Sequence, residues 1–267
     1  MRIVRQRRGQ FIIIAALLVA IMMVSVSTIM YSAVTYYRYE RWDEYLSIID
    51  NVKIGSQRVV EISLANYTTW NNYNNVTILR NNLQRWVNDT RKAYAGFGIN
   101  LSFTEDELDH DWNEEESSAA ADATFTLDIT SAGLTGYQFT TPVLLKVKII
   151  EDEEEPHERY TRWNASDKGK ELTISLIVYK EDSIPKKEDS VTNLKKDNFR
   201  VSVNGTWLAP ENFTVVRYSD ATYESLIYDI YCSPDTPPDP KTFLVSVAVI
   251  DTRGIKVVAD VTVTVST

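Results

Sequence analysis

Three features of the amino-acid sequence predict an α+β chain with a membrane-crossing helix near its start. A charge-free stretch, Gly9 to Tyr37, contains an unbroken apolar run from Phe11 to Val24. A helix-period pattern follows to about Tyr67 and recurs from Ile78 to Ala95. From Ala123 the apolar period changes to two. The expected organisation is a basic leader (residues 1–9), a transmembrane helix (10–36), a helical stalk folded into a hairpin (37–103), an acidic linker (104–122) and an all-β antiparallel sandwich (123–267).

The apolar segment comes first because it sets the address. A helix from Phe11 to Val34 rises ~36 Å at ~1.5 Å per residue, enough to cross a ~30 Å hydrocarbon core. Arg2, Arg5, Arg7 and Arg8 precede it, and every acid follows it. That asymmetry predicts a cytoplasmic N-terminus and an extracytoplasmic body at the cell membrane, by the positive-inside rule. Net charge is −9 over 267 residues; beyond the leader, 24 Lys and Arg face 37 Asp and Glu. So acidic a body lacks the basic clusters that phosphate binding requires, which argues against a nucleic-acid partner.

Three processing routes fit the first 37 residues: secretory cleavage near Ser25-Val26-Ser27, an uncleaved signal anchor, and a leader cut just after Gly9. From Gln10 to Ile54 there is neither Gly nor Pro, so the helix has no breaker where a secretory signal loses its pattern. Beyond Arg38 the pattern turns amphipathic. Trp42, Tyr45, Ile49, Val52, Ser56, Val59 and Ser63 recur at spacings of three and four, with Ile48 and Ile62 widening the stripe and a loosening expected at Gly55. Arg7-Arg8-Gly9-Gln10, the apolar run and this extension together resemble archaeal type IV pilin-like proteins. The resemblance implies peptidase cleavage between Gly9 and Gln10, and self-assembly through the bundled N-terminal helices. Ile14 stands where the bacterial pattern has Glu.

The Asn-rich stretch from Trp70 to Asn75 predicts a turn. In the second helix Leu79, Leu83, Trp86, Val87, Thr90 and Tyr94 mark an apolar face, Thr77 can cap the start and Gly96 can end it. Ile99 to Phe103 reads as a short strand. Residues 104–122 carry nine acids and no base, and read as a solvated linker. Asp109-His110-Asp111 begins like a calcium loop, but Glu114 and Ala120 hold positions that need Gly and Glu. Glu151 to Glu155 reads as a loop.

Strand alternation follows in Phe125-Leu127-Ile129, Val143-Leu145-Val147-Ile149 and Leu172-Ile174-Leu176-Val178. Phe199 to Val203, Phe213 to Tyr218 and Leu226 to Tyr231 are further strands. Phe243 to Val249 and Ile255 to Val265 form a hairpin about Asp251-Thr252-Arg253-Gly254. Eight short strands without an intervening helix look like an immunoglobulin-type surface domain, without the paired Cys of antibody domains. Cys232 alone makes no internal disulfide and reads as a small residue near a strand end.

Chemistry is sparse. Only His110 and His157 are histidines, and no nucleophile elbow, P-loop, dinucleotide fingerprint or zinc frame occurs. The expectation is a non-catalytic protein with no cofactor and no metal. The sequon Asn-x-Ser/Thr occurs seven times, at Asn66, Asn75, Asn88, Asn100, Asn164, Asn204 and Asn212, where chance predicts about three. All lie beyond the apolar segment, consistent with a glycosylated outer body. Tyr36, Tyr37 and Trp42 suit a membrane interface; Trp70, Trp112, Trp163 and Trp207 fall in expected turns or linkers. The functional expectation is a pilin-like structural or adhesive surface subunit. The alternative is a monomeric anchored ectodomain that binds an envelope protein, glycan or extracellular partner; a secreted enzyme comes third.

Overall fold

The computed structural model describes residues 3–69, 75, 77–112, 116–150, 161–166, 169–181, 189–219, 224–233 and 242–264. Side chains are described within these ranges except at 3–11, 35–41, 164–166, 169–170, 189, 218–219 and 224–225. The chain is α+β, with two compact units, Met1–Val52 and Lys53–Thr267. Helix α1, Ile3–Thr68, is continuous across the division between them. The expected Asn-rich turn and the loop at Glu151 to Glu155 lie outside the described residues, Asn75 excepted.

Within the second unit, α1 meets α2, Thr77–Ala93. Leu79, Leu83, Val87 and Thr90 are the buried face of α2, as their spacing of three and four dictates. On α1, Ser56, Val60, Ser63, Leu64 and Tyr67 are buried. Trp86 Nε1 donates to Ser56 Oγ at 3.0 Å, and Asn82 Nδ2 donates to Ser63 Oγ at 3.0 Å. The residue order of these two bonds makes the helices antiparallel. Gly55 does not loosen α1. It stays helical, and the Trp86 ring lies where its side chain would be: a Cβ would sit 2.3 Å from Trp86 Cη2. Ile62, expected to widen the packed stripe, is 56% exposed.

The strands are β1 Ile99–Asp111, β2 Glu116–Ile129, β3 Leu134–Thr140, β4 Val143–Ile149, β5 Arg162–Ser166, β6 Gly169–Lys180, β7 Asp189–Ser190, β8 Phe199–Val203, β9 Thr206–Leu208, β10 Asn212–Ser219, β11 Glu224–Cys232, β12 Thr242–Ile250 and β13 Lys256–Thr264. One antiparallel sheet has the order β1-β2-β4-β6-β11-β10, with β3 on β2 and with β5 and β7 on β6. The other has the order β13-β12-β8-β9. β13 packs against β2, β4 and β5 of the first sheet. Phe125, Leu127, Ile129, Leu145, Val147, Leu172, Ile174, Leu176 and Val178 are fully buried, as period two requires.

The expected linker over 104–122 is not a linker. Apart from residues 113–115, outside the described set, it forms the second half of β1 and the first half of β2. Asp111 pairs with Ser118 and Leu108 with Ala121, with a register shift between Glu105 and Glu107. The acids stand mainly on exposed positions of β1, while Ser117, Ala119, Ala121 and Ala123 are the buried positions of β2. Small residues carry this strand, so neither hydrophobicity nor β-propensity announces it. The helical hairpin and the sheets also share one compact unit, with α2 packed on β1; the division falls at residue 52, not at the stalk's end. Trp163, expected in a turn, lies in β5, where it is buried and meets Phe243 edge-to-face at 5.6 Å.

The Gly55–Trp86 crossing sets a sign test. Gly55→Ala should destabilise the protein by about 1–3 kcal/mol, because Trp86 must shift and strain its bond to Ser56. In a Trp86→Ala background the same change should stabilise by roughly 0.5–1 kcal/mol through helix propensity. Urea unfolding of the four chains reads both.

Candidate functional site

The most distinctive surface of the chain is the segment Ile12–Val34 of α1. Its mean hydropathy is 2.8 and none of it is buried. Its large apolar side chains are 52–76% exposed. At 23 residues the segment is long and apolar enough to cross a membrane. Thr28 Oγ1 donates to Val24 O at 2.8 Å, so this hydroxyl is satisfied within the helix itself.

Gly9 and Gln10, the expected scissile pair, both lie in the helical backbone of α1, which begins at Ile3. Sequon residues Asn66, Asn75, Asn88, Asn100, Asn204 and Asn212 are exposed, while Asn164 lies in β5 with its side chain outside the described set. They are dispersed over helices, strands and turns rather than gathered. Asn204 sits in the turn between β8 and β9 with φ of 47°. Asn75 Oδ1 accepts from Thr77 Oγ1 at 2.7 Å, Asn100 Nδ2 donates to Asp128 Oδ2 at 3.3 Å, and Asn212 Oδ1 accepts from Phe213 N at 2.9 Å. The hydroxyl residues of two sequons, Thr68 and Thr90, are buried.

His110 is engaged structurally. Its Nδ1 is 3.1 Å from Tyr67 Oη, and its ring meets Tyr67 and Trp112 edge-on. Cys232 is buried at the end of β11, and burial, then Glu211, pushes its thiol up to about 12. That is far from the range of a reactive thiolate. A shallow groove of about 210 Å³ lies between α1 and α2, lined by Val59, Ile62, Asn82, Arg85, Trp86 and Asp89.

A network of titratable groups centres on Arg253, in the turn between β12 and β13. Arg253 Nε donates to Asp251 Oδ2 at 2.6 Å, and Nη2 donates to Leu144 O at 3.0 Å. Nη1 pairs with Glu181 Oε1 and lies 4.0 Å from Glu61 Oε1 on α1. Glu181 Oε2 accepts from Leu144 N at 2.8 Å, and Asp251 Oδ1 accepts from Arg253 N at 2.9 Å and Ile255 N at 3.0 Å. Thus one guanidinium joins α1, β4, the end of β6 and the β12–β13 turn. Burial opposes the Arg253 charge, but Asp251 and Glu181 outweigh it and hold the group above its ordinary value. Burial raises the Glu61 carboxyl; Arg253 pulls it down, while Glu181 and Asp251 push it up, and the net direction is upward. Sequence reading took Asp251 to Gly254 as a turn and missed this network. The available signal was an Arg inside the turn itself, since closing a hairpin needs no long cation.

No protein-family model matches the chain, and neither does any curated protein or solved structure.

The two ends of the network should respond oppositely. A raised carboxyl contributes stability that is complete below its unfolded value, about 4.3, and lost as pH rises through the folded value. Glu61→Gln should therefore raise the thermal midpoint at pH 7, with the gain vanishing below about pH 4. Arg253→Met should cost about 2–4 kcal/mol at pH 7, because Glu181 and Asp251 lose their counter-ion in a half-dry site. Thermal and urea unfolding across pH 3–8 measure both.

Proposed function

We propose that this is a non-catalytic, single-pass surface protein, a pilin-like subunit with a glycosylated outer body. The carrying observation is the exposed apolar segment Ile12–Val34, continuous with the helix that packs against α2. A fully exposed apolar surface of this length needs lipid or other helices around it. Arg7-Arg8-Gly9-Gln10 immediately before it supplies the junction at which a prepilin-type peptidase would cut. The mature helix would then serve as both anchor and assembly surface. The N-terminus is cytoplasmic in this reading and the body extracytoplasmic, in keeping with the four Arg of the leader. The two packed antiparallel sheets support an immunoglobulin-like body without identifying a ligand. Among the sequons, Asn204 at a hairpin turn is the best placed for glycan, and Asn66 and Asn88, with their Thr partners buried, the worst.

One observation favours a second reading, the uncut signal anchor whose body binds an envelope partner. Gly9 lies inside α1, and peptidases cut exposed, extended backbone more readily than helix.

N-terminal sequencing with intact mass separates the two. The expected mature chain starts at Gln10, and Gly9→Leu should abolish that start. A wild-type chain that retains Met1, or normal processing of the Gly9→Leu chain, would reject the pilin-like reading and leave the anchored ectodomain. A start near Thr28 would reject both.

A further inference from the structure

Sheet edges are open rows of backbone donors and acceptors, and proteins normally guard them with charge, bulges, irregular backbone or brevity. The described edges here follow that rule with one exception. β1 carries Glu105, Asp106, Glu107, Asp109 and Asp111 and a register shift. β3 contains Gly136 with φ of 68° and a register shift against β2. β5, β7 and β9 have five, two and three residues. β13 carries Lys256 and Asp260.

β10 is the exception: it is long and regular, and its one charge is Arg217. Its eight residues, Asn212–Ser219, keep unbroken register with β11 and include no acid, no Lys and no Pro. Among the described residues no strand pairs with its other side. Asn212, Thr214, Val215 and Arg217 are exposed, and Val215 is 44% exposed. The inner side is fixed: Thr214 Oγ1 donates to Asp229 Oδ2 at 3.4 Å, and Ser175 Oγ donates to Asp229 Oδ1 at 2.8 Å, linking β10, β11 and β6.

We propose that β10 pairs with β10 of a second copy of this chain, antiparallel, about a two-fold axis through Val215. Charge selects the occupant. In a chain of net charge −9, β10 is the long regular edge free of acids, so two copies meet there without like-charge contact. The axis places Val215 opposite Val215, Thr214 opposite Val216, and Arg217 opposite Phe213. An axis through Val216 would instead set Val215 against Arg217. One strand pair buries less than the ~1,200 Å² of a standard interface. The contact is therefore weak and reversible in dilute solution, and stronger where copies are held side by side on one membrane. It does not depend on cleavage at Gly9 and joins bodies rather than apolar helices.

The test is a charge swap at Val215 in the full chain in detergent micelles, with association read by two-colour energy transfer and sedimentation. Val215→Lys and Val215→Glu should each weaken self-association at least tenfold while far-UV circular dichroism and the thermal midpoint stay unchanged. Mixing the two variants should restore it to within about threefold of wild type, a rescue that misfolded chains cannot give. Association unchanged in both variants would assign it to the apolar helices and overturn the proposal. So would a wild-type chain monomeric at every concentration, or a mixture that stays dissociated. Stronger association of Val215→Glu alone would overturn the axis through Val215, since that carboxylate would then face Arg217.

Discussion

A single guanidinium in a hairpin turn holds three parts of this molecule in register. Arg253 reaches α1 through Glu61, β4 through the Leu144 carbonyl and the end of β6 through Glu181. Its own turn is braced by Asp251, which accepts from two backbone amides. Beside it, Lys256 N donates to Thr68 Oγ1 at 3.1 Å, and that hydroxyl donates to Leu64 O at 2.9 Å. The last turn of α1 is thus bonded to the start of β13. Planar, always charged and rich in donors, Arg suits such a junction where Lys would satisfy fewer acceptors. Burial, with Glu181 and Asp251 adding to it against the pull of Arg253, lifts Glu61, so the junction carries an unspent preference for a proton.

Small residues do the complementary work of letting elements approach. Gly55 admits the Trp86 ring, Ser56 and Ser63 accept bonds across the helical pair, and Ala119, Ala121 and Ala123 form the buried row of β2. Gly254, with φ of 87°, sits where an added Cβ would lie 3.7 Å from the Ala65 methyl. These contacts derive specificity from shape rather than from apolar area, so each tolerates little added volume.

Much of the architecture was legible because it rests on periodicity. The helix-to-strand change of period placed α1, α2 and the buried rows of β4, β6, β12 and β13, and Gly254 sits in its hairpin turn as expected. Two kinds of feature were not. Stretches built from Ala and Ser, or from exposed acids, lack the β-branched signal, so the second half of β1 and the first half of β2 were read as solvated chain. Contacts between residues far apart in sequence have no local signature: Arg253 with Glu181, Thr68 with Lys256, Trp163 with Phe243. The candidate site divides the same way. The apolar segment is a local property and is visible at once, whereas the edge position of β10 follows from how the described strands are ordered in the sheet.

The bond between Thr68 and Lys256 also orders events in time. Helix α1 is bonded at Thr68 to a hairpin whose residues are synthesised long after it, Lys256 standing 188 residues further along the chain. During elongation Glu61, Ala65 and Thr68 on α1 wait for their partners Arg253, Gly254 and Lys256. Such long-range closure is slow compared with helix formation. A nascent chain of this design therefore carries an apolar segment and an unbonded helix end together until that hairpin has emerged.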